Sequence, residues 1–125
     1  MNLELKRRIS EIALECTEAG WDGYGANAVT EAAVADAYKF ADAIEYSVPM
    51  PDVSAEPDGD LTFEWHRSAL QTLSVSVHGS GILHYAALLG AEQICGTEAF
   101  QARMPQVLKE LITRIERRDS ESSSR

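Results

Sequence analysis

A chain of 125 residues, 45% apolar and 25% charged, has the size and composition of one globular domain with a core of its own. No apolar run approaches the roughly 18–20 residues of a membrane span, and Met1–Arg8 has no apolar stretch behind its basic residues, so neither a membrane anchor nor a secretion signal is expected. The net charge of −9 is concentrated, because residues 27–66 hold nine acids (Glu31, Asp36, Asp42, Glu45, Asp52, Glu56, Asp58, Asp60 and Glu64) against Lys39 alone. Such a middle repels phosphate backbones and argues against direct nucleic-acid binding. It suits a protein partner with a basic surface, although acidity also serves solubility by itself. Cys16 and Cys95 fall in different elements, and a cytoplasmic location with two reduced, buried thiols is expected rather than a disulfide.

The first helix is expected over about Leu3 to Glu18, where Leu5, Ile9, Ile12, Ala13 and Cys16 share one face and Lys6, Arg7, Glu11 and Glu15 the other. Gly20 stops it. The run Gly20-Trp21-Asp22-Gly23-Tyr24-Gly25-Ala26 follows. Three glycines allow positive φ, and two large rings seek apolar partners, so this segment reads as a shaped loop in which at least one of Trp21 and Tyr24 is mostly buried. Asp22 suits the cap of a turn, accepting backbone amides. The alternative is that it accepts from a ring donor such as Trp65 or Tyr24.

Thr30 is placed as the N-cap of a second helix, with Val29 and Val34 as a hydrophobic staple. Val34, Ala37, Tyr38, Ala41 and Ile44 mark its expected buried face, and Pro49 and Pro51 close the segment. The period then changes to two. Val53–Glu56 reads as a short strand, and Pro57-Asp58-Gly59-Asp60 as a turn. Leu61, Phe63 and Trp65 alternate with Thr62, Glu64 and His66 in the next strand. Leu73, Val75 and Val77 alternate with Ser74, Ser76 and His78 in the one after, and His78-Gly79-Ser80-Gly81 makes a hairpin turn. A strand over Ile82–Leu89 follows. Residues 91–97 fit either a fifth, edge strand or a loop. The last helix is expected to start at Met104 or Pro105, with a start at Thr97 as the competing reading, and carries Leu108, Leu111, Ile112 and Ile115 inward.

These elements predict an α+β fold: two N-terminal helices, an antiparallel four- or five-stranded meander, and a C-terminal helix packed on one sheet face. Residues 1–117 form one domain, and 118–125, with nothing to bury, a disordered tail. The serine- and charge-rich sheet face is expected to meet water.

The Gly20–Ala26 run, the Pro51-Asp52-Val53 entry, and the Asp58-Gly59 turn before Leu61-Thr62-Phe63-Glu64-Trp65 occur in that order. In this the chain resembles a group of small, uncharacterised bacterial proteins with the same loop motif, a proline-led strand and a strand ending in Glu-Trp. The resemblance spans roughly residues 3–115. It implies the same order of elements and an accessory role in bacterial genomes, plasmids or prophages, and it transfers no active site.

Catalytic chemistry finds little support in the spacing. His66, His78 and His84 fall on different strands or strand ends, without HxxxH, HxH or CxxC. Ser80 between two glycines lacks a nucleophile elbow, and the loop glycines do not form a phosphate-binding motif. We therefore expect no catalytic residue, metal or cofactor. The expected activity is binding of another protein, as an inhibitor, antitoxin-like neutraliser or anti-defence factor of a mobile element. Glu31, Asp36, Asp58 and Asp60 would supply charge, and Trp21, Asp22 and Tyr24 the loop contacts. The alternatives are a small-ligand or enzymatic pocket beneath the Gly20–Ala26 loop, and self-association through an edge strand or the last helix.

Overall fold

The computed structural model describes the backbone of residues 3–44 and 48–123, with side chains described as far as Ile115. Eight elements follow one another: α1 (Leu3–Glu15), α2 (Glu31–Ala43), β1 (Asp52–Ala55), β2 (Leu61–Ser68), β3 (Gln71–Val77), β4 (Ile82–Leu89), β5 (Glu92–Ala99) and α3 (Gln106–Ser123). The strands form one five-stranded sheet in the order β1-β2-β3-β4-β5, antiparallel throughout. The α+β meander expected from the sequence is thus the observed fold, and the open question over residues 91–97 resolves to a strand. The expected tail at 118–125 falls on residues whose side chains, and for 124–125 whose backbone, lie outside the described residues; the assigned helix runs to Ser123.

Alternation along the strands sorts the sheet into two faces. Leu61, Phe63, Trp65, Leu73, Val75, Val77 and Leu83 are all buried on the inner face. Thr62, Glu64, Ser74, Ser76 and His84 stand on the outer one, where Thr62 Oγ1 and Ser76 Oγ share a hydrogen bond of 2.9 Å. The helices lie over β1, β2 and β3: α1 against β1 and α2, and both α2 and α3 against β2 and β3.

Thr30 caps α2 as expected, its hydroxyl accepting from Ala33 N at 3.1 Å. The buried face of α2 is rotated from the expected one. It consists of Ala33, Asp36, Ala37, Phe40 and Ala41, whereas Val34 and Tyr38 are only partly buried. The reason is that α2 meets two neighbours. Phe40 turns to the sheet, with its ring centroid 4.8 Å from that of Phe63, 6.3 Å from Trp65 and 5.8 Å from Phe100. Tyr38 and Asp42 turn to α1, through a 2.5 Å hydrogen bond between the Ser10 and Tyr38 hydroxyls and a 2.7 Å ion pair from Lys6 to Asp42.

Asp36 also departs from expectation. It does not belong to an outer acidic face: it is 8% exposed, and its Oδ2 accepts from Gly81 N at 3.1 Å. This bond ties the β3–β4 turn to the middle of α2. A charged acceptor on a backbone amide is stronger than a neutral one, and removing it takes the acceptor from the half-buried Gly81 amide. Asp36→Ala is therefore expected to cost about 1.5–3 kcal/mol, read by chemical denaturation. A change below about 0.5 kcal/mol would show that the turn is held by packing alone.

Candidate protein-binding surface

The loop after α1 bonds four of its own amides, those of Gly20, Gly23, Tyr24 and Ala26. Its three glycines adopt φ of +79° (Gly20), +80° (Gly23) and +84° (Gly25), in the left-handed region the sequence anticipated. Asp22 is the cap: its Oδ1 accepts from Tyr24 N at 2.8 Å and from Ala26 N at 3.1 Å. Of the ring donors proposed for it, the Trp65 indole goes elsewhere, and so does that of the neighbouring Trp21. Trp21 Nε1 donates to Asn27 O at 2.7 Å, and Trp65 Nε1 donates to Pro49 O at 2.9 Å. Gly20 N donates to Ala26 O at 2.6 Å, and Val29 N to Cys16 O at 3.0 Å, closing the loop at its base. Trp21 is the partly buried ring, packed against the core, and Tyr24 is 93% exposed.

The β1–β2 turn docks on this loop. Within the turn, Glu56 N donates to Asp60 O at 2.8 Å, Gly59 N to Glu56 O at 2.9 Å, and Asp60 N to Asp58 Oδ1 at 3.0 Å. Asn27 N donates across to Pro57 O at 2.7 Å. Gly59, at φ +95°, lies so close to the loop that a Cβ there would meet Ala28 O at 2.9 Å. Two segments picked out separately in the sequence therefore form one rigid unit, joined through Asn27. The unit carries an exposed tyrosine and the carboxylates Glu56, Asp58 and Asp60. A shallow cleft of about 480 Å³ opens beside it, lined by Glu56, Pro57, Asp58 and Asp60 with Thr62, Ser74 and Ser76 of the outer sheet face.

His78 joins the unit through an ion pair of its Nδ1 with Asp60 Oδ1. The hydrogen bond and charge of Asp60, with Asp58 beyond, raise the His78 pKa above its ordinary value of 6.5. The strand register explains the pairing. Leu61 lies opposite Val77, so Asp60 and His78 occupy the next rung of the antiparallel pair. That partner was recoverable from the alternation of β2 and β3 once their register was counted, but spacing along the chain does not show it.

The remaining sequence candidates are dispersed. Glu31 is exposed in the first turn of α2. Cys16 is buried at the end of α1, and that burial raises its thiol pKa. Cys95 is exposed, contrary to the expectation of a buried thiol; it lies opposite Ala86 on the outer face, two rungs from the Thr97–His84 pair. His66 and His84 are exposed on that face too. Among the described residues, no group of three or more His, Cys, Asp or Glu could hold a metal ion. Two further clefts, of about 390 Å³ between α1 and the start of β1 and about 530 Å³ between the end of α2 and the start of α3, are not lined by Trp21, Asp22 or Tyr24. No described helix is long and apolar enough to cross a membrane.

Comparison with protein-family models, with curated proteins and with solved structures finds no match.

Two outcomes follow from this geometry. Trp21→Ala removes a partly buried ring and its hydrogen bond to Asn27, and is expected to destabilise by about 2–3 kcal/mol, short of the ~3–5 kcal/mol of a fully buried tryptophan. A thermal melt shifted by less than a degree would show that the ring does not hold the loop. His78 is expected to titrate above 6.5 by NMR, and Asp60→Asn to bring it back toward that value. Its folded pKa being the raised one, the pair's small contribution to stability is present below about pH 6.5 and disappears as pH rises through the folded pKa. A wild-type His78 titrating at or below 6.5 would contradict the pairing.

Proposed function

We propose that this chain is a non-catalytic module that binds another protein, and that it inhibits or neutralises a partner by occupying a basic surface. The observation that carries this reading is Tyr24, 93% exposed on a loop whose turn is held by Asp22 bonds to the Tyr24 and Ala26 amides. A large ring left in water by a rigid loop has no evident role in the fold. Tyrosine so placed supplies contact area at low entropic cost, and such residues are enriched at the energetic centres of interfaces.

The adjoining acidic turn supplies the second element of recognition. No lysine or arginine falls within residues 40–66, the stretch that carries Glu56, Asp58 and Asp60, and Asp60 is paired with the titratable His78. Basic side chains of a partner would complement these carboxylates and accelerate encounter. A partner that itself binds nucleic acid has such a surface, and covering it would block its activity. This is the chemistry of an antitoxin-like or anti-defence factor.

The test is affinity capture from a bacterial lysate at low salt, followed by quantitative binding to the purified partner. Asp58→Asn with Asp60→Asn removes charge while keeping side-chain oxygens that can cap the turn. The pair is expected to slow association about tenfold at low salt, and Tyr24→Ala to weaken affinity by about 2 kcal/mol, with melting unchanged. Wild-type affinity should fall as salt rises past the point where the screening length drops below about 8–10 Å. A partner whose binding ignored salt and both variants would refute this surface.

A further inference from the structure

The two edges of the sheet are treated differently. β1 has four residues, is flanked by Pro49, Pro51 and Pro57, and packs against α1. β5 has eight residues, contains neither proline nor lysine, and pairs with β4 without a break in register. α3 reaches it at one end, where Arg114 Nη2 donates to Glu92 Oε1 at 3.0 Å, and Ile94 packs partly against the core, but none of its residues is buried. Short, proline-flanked or covered edges resist pairing with other chains, whereas long, regular edges promote it.

The direction of the free groups follows from the ladder. Phe100 N donates to Gly81 O, and Gly90 N donates to Leu70 O. In an antiparallel pair, hydrogen-bonded and non-hydrogen-bonded rungs alternate. Stepping along the register, Glu92, Ile94, Gly96 and Glu98 direct their amides and carbonyls to β4. Gln93, Cys95, Thr97 and Ala99 direct theirs to the open edge.

We infer that β5 is a homodimer interface, at which a second copy pairs antiparallel through its own β5 about a two-fold axis and makes one continuous sheet. Outward-facing residues must pair with outward-facing residues, which leaves few registers. Centring the axis on Cys95 would place Glu92 directly opposite Glu98 twice, and like charges opposite each other are destabilising. Centring it on Gly96 avoids this. Gln93 then exchanges hydrogen bonds with Ala99 of the second copy, and Cys95 with Thr97, with each pair repeated by symmetry. Ile94 faces Glu98 across a non-hydrogen-bonded rung. Gly96 meets its own mate on the axis, where chains approach most closely, and it carries no side chain to obstruct them. The side of that seam continuing the outer face is lined by uncharged Gln93, Cys95, Thr97 and Ala99. An axis at Thr97 also separates the acids but pairs fewer outward residues. A two-fold edge contact is closed, so assembly stops at two copies.

This inference does not depend on the proposed partner-binding role, because it is read without any partner. Sedimentation over a concentration series is expected to show a dimer for the wild type. Cys95→Pro deletes an edge-facing amide while sparing every bond to β4, a position at which a strand tolerates proline. It is expected to weaken dimerisation about 10- to 100-fold, at one lost hydrogen bond per chain, while a cooperative melt is retained. If that variant does not fold, cross-linking still decides. In a Cys95→Ser background, oxidising a mixture of Ile94→Cys chains and Glu98→Cys chains should give a disulfide-linked heterodimer far in excess of either chain alone, since that rung suits disulfide geometry. A monomer at every concentration, a dimer indifferent to Cys95→Pro, or no preference for the mixed cross-link would overturn the proposal.

Discussion

The ring of Phe40 is the contact on which the other packing depends. It is fully buried and meets Phe63 and Trp65 from the sheet and Phe100 from the segment leading to α3. Three parts of the chain distant in sequence are thereby fixed by one side chain. Tilted and edge-on ring contacts of this kind add to the area they remove from water. Alanines on either side, Ala33, Ala37 and Ala41, are fully buried. Their small size brings α2 close enough to the sheet for Phe40 to reach both β2 strand rings. With α2 held there, Asp36 lies within reach of the Gly81 amide, and the hydroxyl of Tyr38 meets Ser10 of α1.

This arrangement explains which parts of the sequence were legible. β2 and β3 alternate cleanly because one face is covered by helices and the other is not. Thr30 and Asp22 were readable because caps act over three or four residues. The orientation of α2 was not. Alanine and valine occupy so many of its positions that the period of 3.6 has no unique phase, and Val34 with Tyr38 imitates a stripe as well as Phe40 does. Asp36 was misassigned for the same reason: its burial follows from the position of a turn 45 residues away. β5 gave no clear pattern because alternation records burial, and no residue of β5 is buried. Its status as a strand comes from pairing with β4, a non-local fact, and so does the exposure of Cys95.

The glycine-aromatic loop illustrates how a conspicuous motif can be mostly architecture. Its glycines provide the turn, Asp22 satisfies two amides, and Trp21 bonds to Asn27. Asn27 in turn reaches Pro57, so the loop is a platform for the β1–β2 turn. Once those residues are accounted for by the fold, Tyr24 is left with its ring exposed to water, and it stands on the same unit as the acidic cluster. A rigid platform matters for binding because side chains that are already placed lose less entropy on association.

The position of that platform within the sheet has a further consequence. The acidic turn sits at the β1–β2 end, and β5 is the opposite edge. A copy added through β5 would leave both acidic surfaces uncovered, at the two far ends of one sheet. The first binding event would then raise the effective concentration of the second site for any partner, dimeric or repetitive, able to span the distance. Rigid spacing of this kind selects by geometry as well as by charge, since a partner whose basic sites are too close or too far apart engages only one surface. Charge alone discriminates poorly between basic proteins. A fixed separation between two such acidic surfaces would give that dimer a means of discrimination that neither surface has singly.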